Sequence, residues 1–267
     1  MPGFPVRRER HGAPPGAPSR RAAYARLVLR IIDARTAEAA PAVPARRAPT
    51  RVEAHAPGRD ATALRVLLVA DLLVRALELD GTPVWAVLTG AEDGARLRKD
   101  AAALGIRPFE DGDAAGRGPG TGQGVRVVGE GEGGGLPDVA TVAVAPVDPA
   151  EPSLADPDAL RLALLERHHH ARVELGAAAL DEARDTLARW RRAVADWARH
   201  PSRPVPNDVR DRLRAAWEDD LDAPGVLRVL RAVESDPGLA DGARFEICAY
   251  ADRFLGLHLT RDVGTAY

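Results

Sequence analysis

The run DATALRVLLVADLLVRALELD, residues 60–80, constrains this chain more than any other stretch. Leu64, Leu67, Leu68, Leu72, Ala76 and Leu79 recur at helical spacing and gather into one apolar stripe. Gly81 follows where a helix commonly turns left-handed and stops. TPVWAVLT, residues 82–89, then alternates and reads as a strand. TRVEAHA (50–56) reads as a strand upstream, and a second helix is expected over roughly 91–104, closed by Gly105. Strand, helix, strand and helix in that order imply a βαβ unit and a parallel sheet. RLVLRIID (26–33) is a further β-like stretch, joined to the unit by an Ala/Pro-rich connection.

Residues 112–135 hold eleven glycines and interrupt the pattern. GEGEGG (129–134) formally satisfies G-x-G-x-x-G after the strand-like VRVV (125–128). A dinucleotide loop must open a helix, whose N-terminus holds the pyrophosphate. Here the β-like LPDVATVAVAPV follows, and Glu130 and Glu132 would repel phosphate. The segment therefore reads as a flexible linker.

From residue 156 the pattern turns helical. Asp156-Pro157 is an N-cap followed by proline at the first helical position, opening DALRLALLERHHH. Leu180, Ala183, Leu187, Trp190, Val194 and Trp197 form a seam with spacings of three and four. NDVRDRLRAAWEDDL (207–221), APGVLRVLRAVES (223–235) and GARFEICAYADRFLGLHL (242–259) supply three more helices. The expected fold is α/β plus all-α: a reduced Rossmann-like parallel half over 23–150 and a helical bundle over 151–267. Residues 1–22 are expected to be a disordered tail.

Composition narrows the function classes. No apolar run reaches the length of a membrane span, and the arginines near the amino terminus precede no apolar segment, so a cytoplasmic location is expected. The single cysteine, Cys248, excludes an internal disulfide or a cysteine zinc cluster. Lys99 is the only lysine, so motifs that need lysine are easily excluded. Basic residues concentrate in 1–65, whereas 66–150 and 151–267 are net acidic.

His168, His169 and His170 stand in a row in a chain of seven histidines. Read as the end of a helix, neighbouring side chains point about 100° apart and cannot converge on one ion. A helix end whose imidazoles favour the C-terminal dipole is the first reading, a contribution to a nucleotide pocket the second. No metal site is expected.

PDALRLALLERHHHARVELGAAALDEARDTLARWRRA resembles the segment after the catalytic core of cysteinyl-tRNA synthetases and the related mycothiol cysteine ligases. There a leucine-rich R-L-x-L-L helix is followed by H-H-Y-R or T-H-Y-R and an L-x-x-A-x-x-x-L helix. Here His170 stands where tyrosine is usual, and Arg172 comes one place late. WEDDLDAP (217–224) matches the family's D-D-L-[ND]-T-P corner, with Ala223 for threonine. RFEICAYADRFLGLHL resembles a terminal helix of the family, and LRIIDARTAEAAP and ADLLVRALELDGTPVWAV resemble the start of its nucleotide-binding fold.

The resemblance implies a class I synthetase-like scaffold, with ATP as the cofactor. RDAT (59–62) resembles the Y-D-A-T that precedes the first signature of the ligases. Arg59, Asp60, Thr62, His168 and His169 are thus the candidates for a residual nucleotide pocket, and Arg65 a candidate substitute charge. The departures are larger. The H-I-G-H histidines and the glycine between them are gone, and K-M-S-K-S cannot occur in a chain whose only lysine is Lys99. The family's zinc selects cysteine by its thiolate; here only His55 lies near a ligand position, so zinc is not expected. A binding or regulatory module that has lost aminoacylation is expected, with tRNA or a protein as partner, and no catalytic residue is named. The alternative is a reduced ATP-dependent ligase that still activates cysteine or another amino acid.

Overall fold

The computed structural model describes residues 29–42, 49–112, 124–132, 139–149 and 154–265. The expected tail lies outside these residues, as does part of the glycine-rich segment. A hairpin of β1 (Arg30–Asp33) and β2 (Glu38–Pro41) comes first. Then follow β3 (Thr50–His55), α1 (Ala61–Leu79), β4 (Val84–Thr89), α2 (Gly94–Ala103), β5 (Glu110–Asp111), β6 (Gly124–Gly129) and β7 (Ala140–Val144). The five strands β3 to β7 form one sheet in the order β5-β4-β3-β6-β7, and every pair is parallel.

The βαβ unit has the form its apolar stripe implies. Asp60 caps α1, whose leucines are buried against the sheet from Leu64 to Leu77. Gly81 and Gly105 adopt φ +77° and +70° after the two helices, a region that glycine enters without the usual Cβ penalty. From β3 the chain moves outward to β4 and β5, then returns to place β6 on the other side of β3. The strand order therefore reverses between β3 and β6, the place where open parallel sheets bind ligands at their carboxyl ends.

Within the segment expected to be a linker, residues 124–129 are β6, hydrogen-bonded to both β3 and β7. Val125, Val127 and Val128 are buried there. Two flanking strands and three buried valines outweigh the glycines at either end. Strand β7 follows β6, as expected for a sequence in which G-x-G-x-x-G opens no helix.

Helices fill the rest: α3 (Pro157–Leu165), α4 (Ala177–Trp197), α5 (Asn207–Glu218), α6 (Ala223–Ser235) and α7 (Asp241–Leu255). Between them, β8 (Val147–Asp148) pairs with β9 (Val173–Glu174). On α4 the seam residues Ala183, Leu187, Trp190 and Val194 are buried, while Leu180 and Trp197 pack half-buried against the core. The core runs without a break from the sheet, through α1, into α3 to α7. No helix is long and apolar enough to cross a membrane among the described residues.

Three expected helix ends move, α7 closing at Leu255 where Gly256 takes φ +62°. Helix α5 stops at Glu218, and Asp219–Leu221 form a corner in which Asp220 and Leu221 take φ +52° and +58°. Helix α3 stops at Leu165, so the histidine triplet is not part of it.

Candidate functional site

Asp60 caps the first turn of α1, its Oδ1 accepting the Ala63 N–H at 2.8 Å. Thr62 Oγ1 accepts the Val147 N–H at 3.1 Å, which ties α1 to β8. Both side chains serve the backbone around them. Arg59 is mostly exposed and lies 3.8 Å from Asp93, which caps α2.

Counting on from RDAT, the next four positions are Ala63, Leu64, Arg65 and Val66, all buried. Arg65 points under the turn that follows α3. Its Nη1 donates to the carbonyls of Ala145 (2.8 Å) and Ala171 (2.7 Å). Its Nη2 donates to those of Arg167 (3.2 Å) and His168 (2.8 Å). Burial pushes the guanidinium down to about 10, and four carbonyl dipoles hold the charge in place of a carboxylate. An active ligase would need a group such as Arg65 to offer its charge to phosphate; the structure shows Arg65 engaged with the backbone instead.

The turn so held carries the histidines. Because residues 166–172 are non-helical, the premise that adjacent side chains splay apart does not apply. His169 is buried, with its carbonyl oxygen accepting the Ala145 N–H at 2.8 Å. Its Nδ1 lies 3.2 Å from the Ala143 carbonyl oxygen, at the carboxyl end of β7. Its Nε2 lies 3.1 Å from the Asp220 carbonyl oxygen and 3.2 Å from Asp220 Oδ2. His168 is half-buried, with Nε2 3.9 Å from the same carboxylate oxygen. Burial, with His169 and His170 beside it, pushes His168 down to about 4, so its imidazole is neutral near pH 7. His170 is exposed, its ring centroid 4.1 Å from that of His168.

Asp220 completes the cluster from the α5–α6 corner. Its Oδ1 accepts the Ile32 N–H at 2.8 Å, and its own N–H donates to the Arg30 carbonyl at 2.8 Å. Burial pushes the Asp220 carboxyl up, but His169, the Ile32 N–H and His168 outweigh it and hold the group below its ordinary value. One ligand atom from each of His168, His169, His170 and Asp220 lies within 4.8 Å of the others. The non-helical turn removes the reason for which the imidazoles were expected to point apart.

The structure brings His168, His169 and Arg65 to one place and sends Arg59 to a separate pairing with Asp93. Arg65, Leu68, Arg167, His168, His169 and Leu221 line a cavity of about 10 Å³. That is room for about one water, against the several hundred Å³ of ordinary ligand pockets. Asp220 escaped the sequence reading, although WEDDLDAP carried the signal: it is the family-like corner, and in the fold it meets the family-like histidines.

No family model matches the chain. Among curated proteins it is similar to L-cysteine:1D-myo-inositol 2-amino-2-deoxy-alpha-D-glucopyranoside ligases. With that of Acidothermus cellulolyticus it is 44% identical over 110 residues, 39% of this chain and 25% of the relative. With that of a Parafrankia species the values are 51% over 78 residues, 29% and 17%. With that of Streptosporangium roseum they are 47% over 88 residues, 33% and 20%. Over these stretches the chain is similar to cysteine ligases of the mycothiol type. The chain spans a quarter or less of the length of these ligases.

Proposed function

We propose that this relative of the cysteine ligases is a binding or regulatory module that has lost the adenylation step. One observation carries the reading: the first two turns of α1 bury Ala63, Arg65 and Val66, and the Arg65 guanidinium is engaged by four carbonyl oxygens. A class I enzyme uses that helix start to oppose phosphate charge. Here no free donor projects from those positions, and the 10 Å³ cavity beside them excludes an adenylate.

The partner we favour is a protein rather than tRNA. Five arginines on α4 and α5 are neutralised in place: Arg184 by Asp156 and Asp181, Arg189 by Glu234, Arg191 by Asp158, Arg212 by Asp208, and Arg214 by Asp80 and Glu218. RNA affinity rewards clustered, unneutralised positive charge. A reduced ATP-dependent ligase is the second reading, and the ligase activity of the relatives is what favours it.

Cysteine-dependent exchange of pyrophosphate into ATP separates the two. No exchange above background is expected, because preorganised donors are usually the largest catalytic contribution and several are missing together. Melting should not rise with ATP or a cysteinyl-adenylate mimic. Amino-acid-dependent exchange that Arg59→Ala or His168→Ala abolishes would restore the ligase.

A further inference from the structure

The cluster where the turn after α3 meets the α5–α6 corner is built to hold a cation. Both ring nitrogens of His169 face acceptors, Nδ1 the Ala143 carbonyl and Nε2 the oxygens of Asp220, so one proton satisfies only one side; take it on Nδ1. Nε2 of a neutral ring then presents its lone pair to two oxygens of Asp220, at 3.1 and 3.2 Å. Lone pair against oxygen is repulsive unless a cation, either a proton or a metal ion, lies among them.

Three further observations favour the metal ion. Asp220 Oδ1 is held by the Ile32 N–H, while the buried Oδ2 faces the imidazoles with no aligned hydrogen bond among the described residues. His168 Nδ1 is likewise buried without a hydrogen-bond partner among them. Buried polar atoms left so are rare and point to a missing ion or water. Finally, Asp220 and its neighbour Leu221 both hold left-handed backbone at φ +52° and +58°. Such strain persists where the surrounding structure enforces it, commonly at functional sites.

We propose that His168, His169, His170 and Asp220 bind a first-row transition-metal dication of the zinc class. Three imidazole nitrogens and one carboxylate oxygen suit zinc, copper or nickel, whereas calcium and magnesium seek oxygen ligands. The bond from His169 Nδ1–H to Ala143 and that from the Ile32 N–H to Asp220 Oδ1 are the outer contacts that orient ligands at metal centres. Tetrahedral zinc places its ligand atoms roughly 3.3 Å apart, so separations that now reach up to 4.8 Å close by as much as about 1.5 Å on binding. The exposed His170 is the ligand free to swing inward. The ion joins the turn after α3 to the α5–α6 corner, and is distinct from the thiolate-binding zinc of the synthetases. It stands whether or not the scaffold retains adenylation.

The test uses the full chain without a polyhistidine tag, stripped with a chelator and titrated with ZnCl₂ by calorimetry and with CoCl₂ by visible absorption. One ion per chain is expected, with the intense d–d bands of tetrahedral cobalt. His170→Ala should weaken binding roughly tenfold or more, while its circular dichroism and melting in chelator match the parent. Asp220→Asn keeps the Oδ1 acceptor for Ile32 and should weaken binding by at least as much. If Asp220→Asn fails to fold, His170→Ala alone decides. Absence of uptake by the stripped parent leaves the proton as the cation and overturns the proposal. So does uptake that His170→Ala leaves unchanged, or octahedral cobalt spectra.

Discussion

Arg65 and Asp71 lie less than two turns apart on α1, both almost fully buried, and they are compensated in opposite ways. Arg65 meets only neutral carbonyl oxygens. Asp71 meets three guanidinium groups: Arg75 at 2.8 Å and Arg161 at 3.1 Å on one oxygen, Arg107 at 3.0 Å on the other. Arg161 continues to the carbonyls of Leu104 and Leu255. Asp71 thus binds the segment after α2, α3 and the end of α7 to α1, while Arg65 shapes one turn. A buried charge answered by charges fastens elements together; one answered by backbone dipoles sets a local conformation.

If that contrast is right, Asp71→Asn has the largest effect. It removes the anion and strands buried guanidinium groups, and should cost about 3–5 kcal/mol, read from the urea midpoint. An unchanged midpoint would show that the arginines find other partners and that the hub is not one. The same group sets an acid dependence. Burial pushes the Asp71 carboxyl up, but the charges of Arg161 and Arg75, with hydrogen bonds from Arg75 and Arg107, hold it below its ordinary value. A folded pKa below the unfolded one gives stability that is fully present above the unfolded value, about 4, and lost as pH falls through the folded value. Acid titration of stability should therefore fall less steeply below about pH 4 in Asp71→Asn than in the parent.

Arg65→Met should come next, at about 2–3 kcal/mol, because it leaves buried carbonyls without their donor. Its signature is local: hydrogen exchange at residues 167–171 should rise more than elsewhere. A uniform rise across the protein would erase the distinction between the two residues.

Asp222→Ala serves as the small reference, a change at a helix start outside both networks. Asp222 Oδ1 accepts the Gly225 N–H at 2.8 Å and Oδ2 pairs with Arg228. Losing this cap should cost about 1 kcal/mol. A cost matching that of Arg65→Met would mean that the Arg65 contacts are no more than a cap.

Legibility in the sequence followed the range of the interaction. The stripe on α1, the seam on α4 and the cap at Asp156 depend on residues three or four positions apart, and all are present in the fold. The glycine-rich segment misled because β6 draws its stability from β3 and β7, which composition does not register. The candidate site divided the same way. His168 and His169 stand out in the sequence, but as the end of a helix, and Asp220 carries no local mark that sets it apart within WEDDLDAP.

What the sequence by itself determined is the order of elements, the parallel βαβ start, the helical second half and the kinship with cysteine ligases. These follow from period, capping and local motif, which any short window contains. Only the tertiary structure decided which charges are buried and what answers them. Arg65 reaches carbonyls 80 to 106 residues away, His169 meets Asp220 51 residues on, and Asp220 holds a β1 amide 188 residues back. The turn at 166–172 exists because Arg65 gathers its carbonyl oxygens, and that turn lets the imidazoles converge. No local pattern encodes such a meeting, because its energy appears only when the distant partners have lost water together.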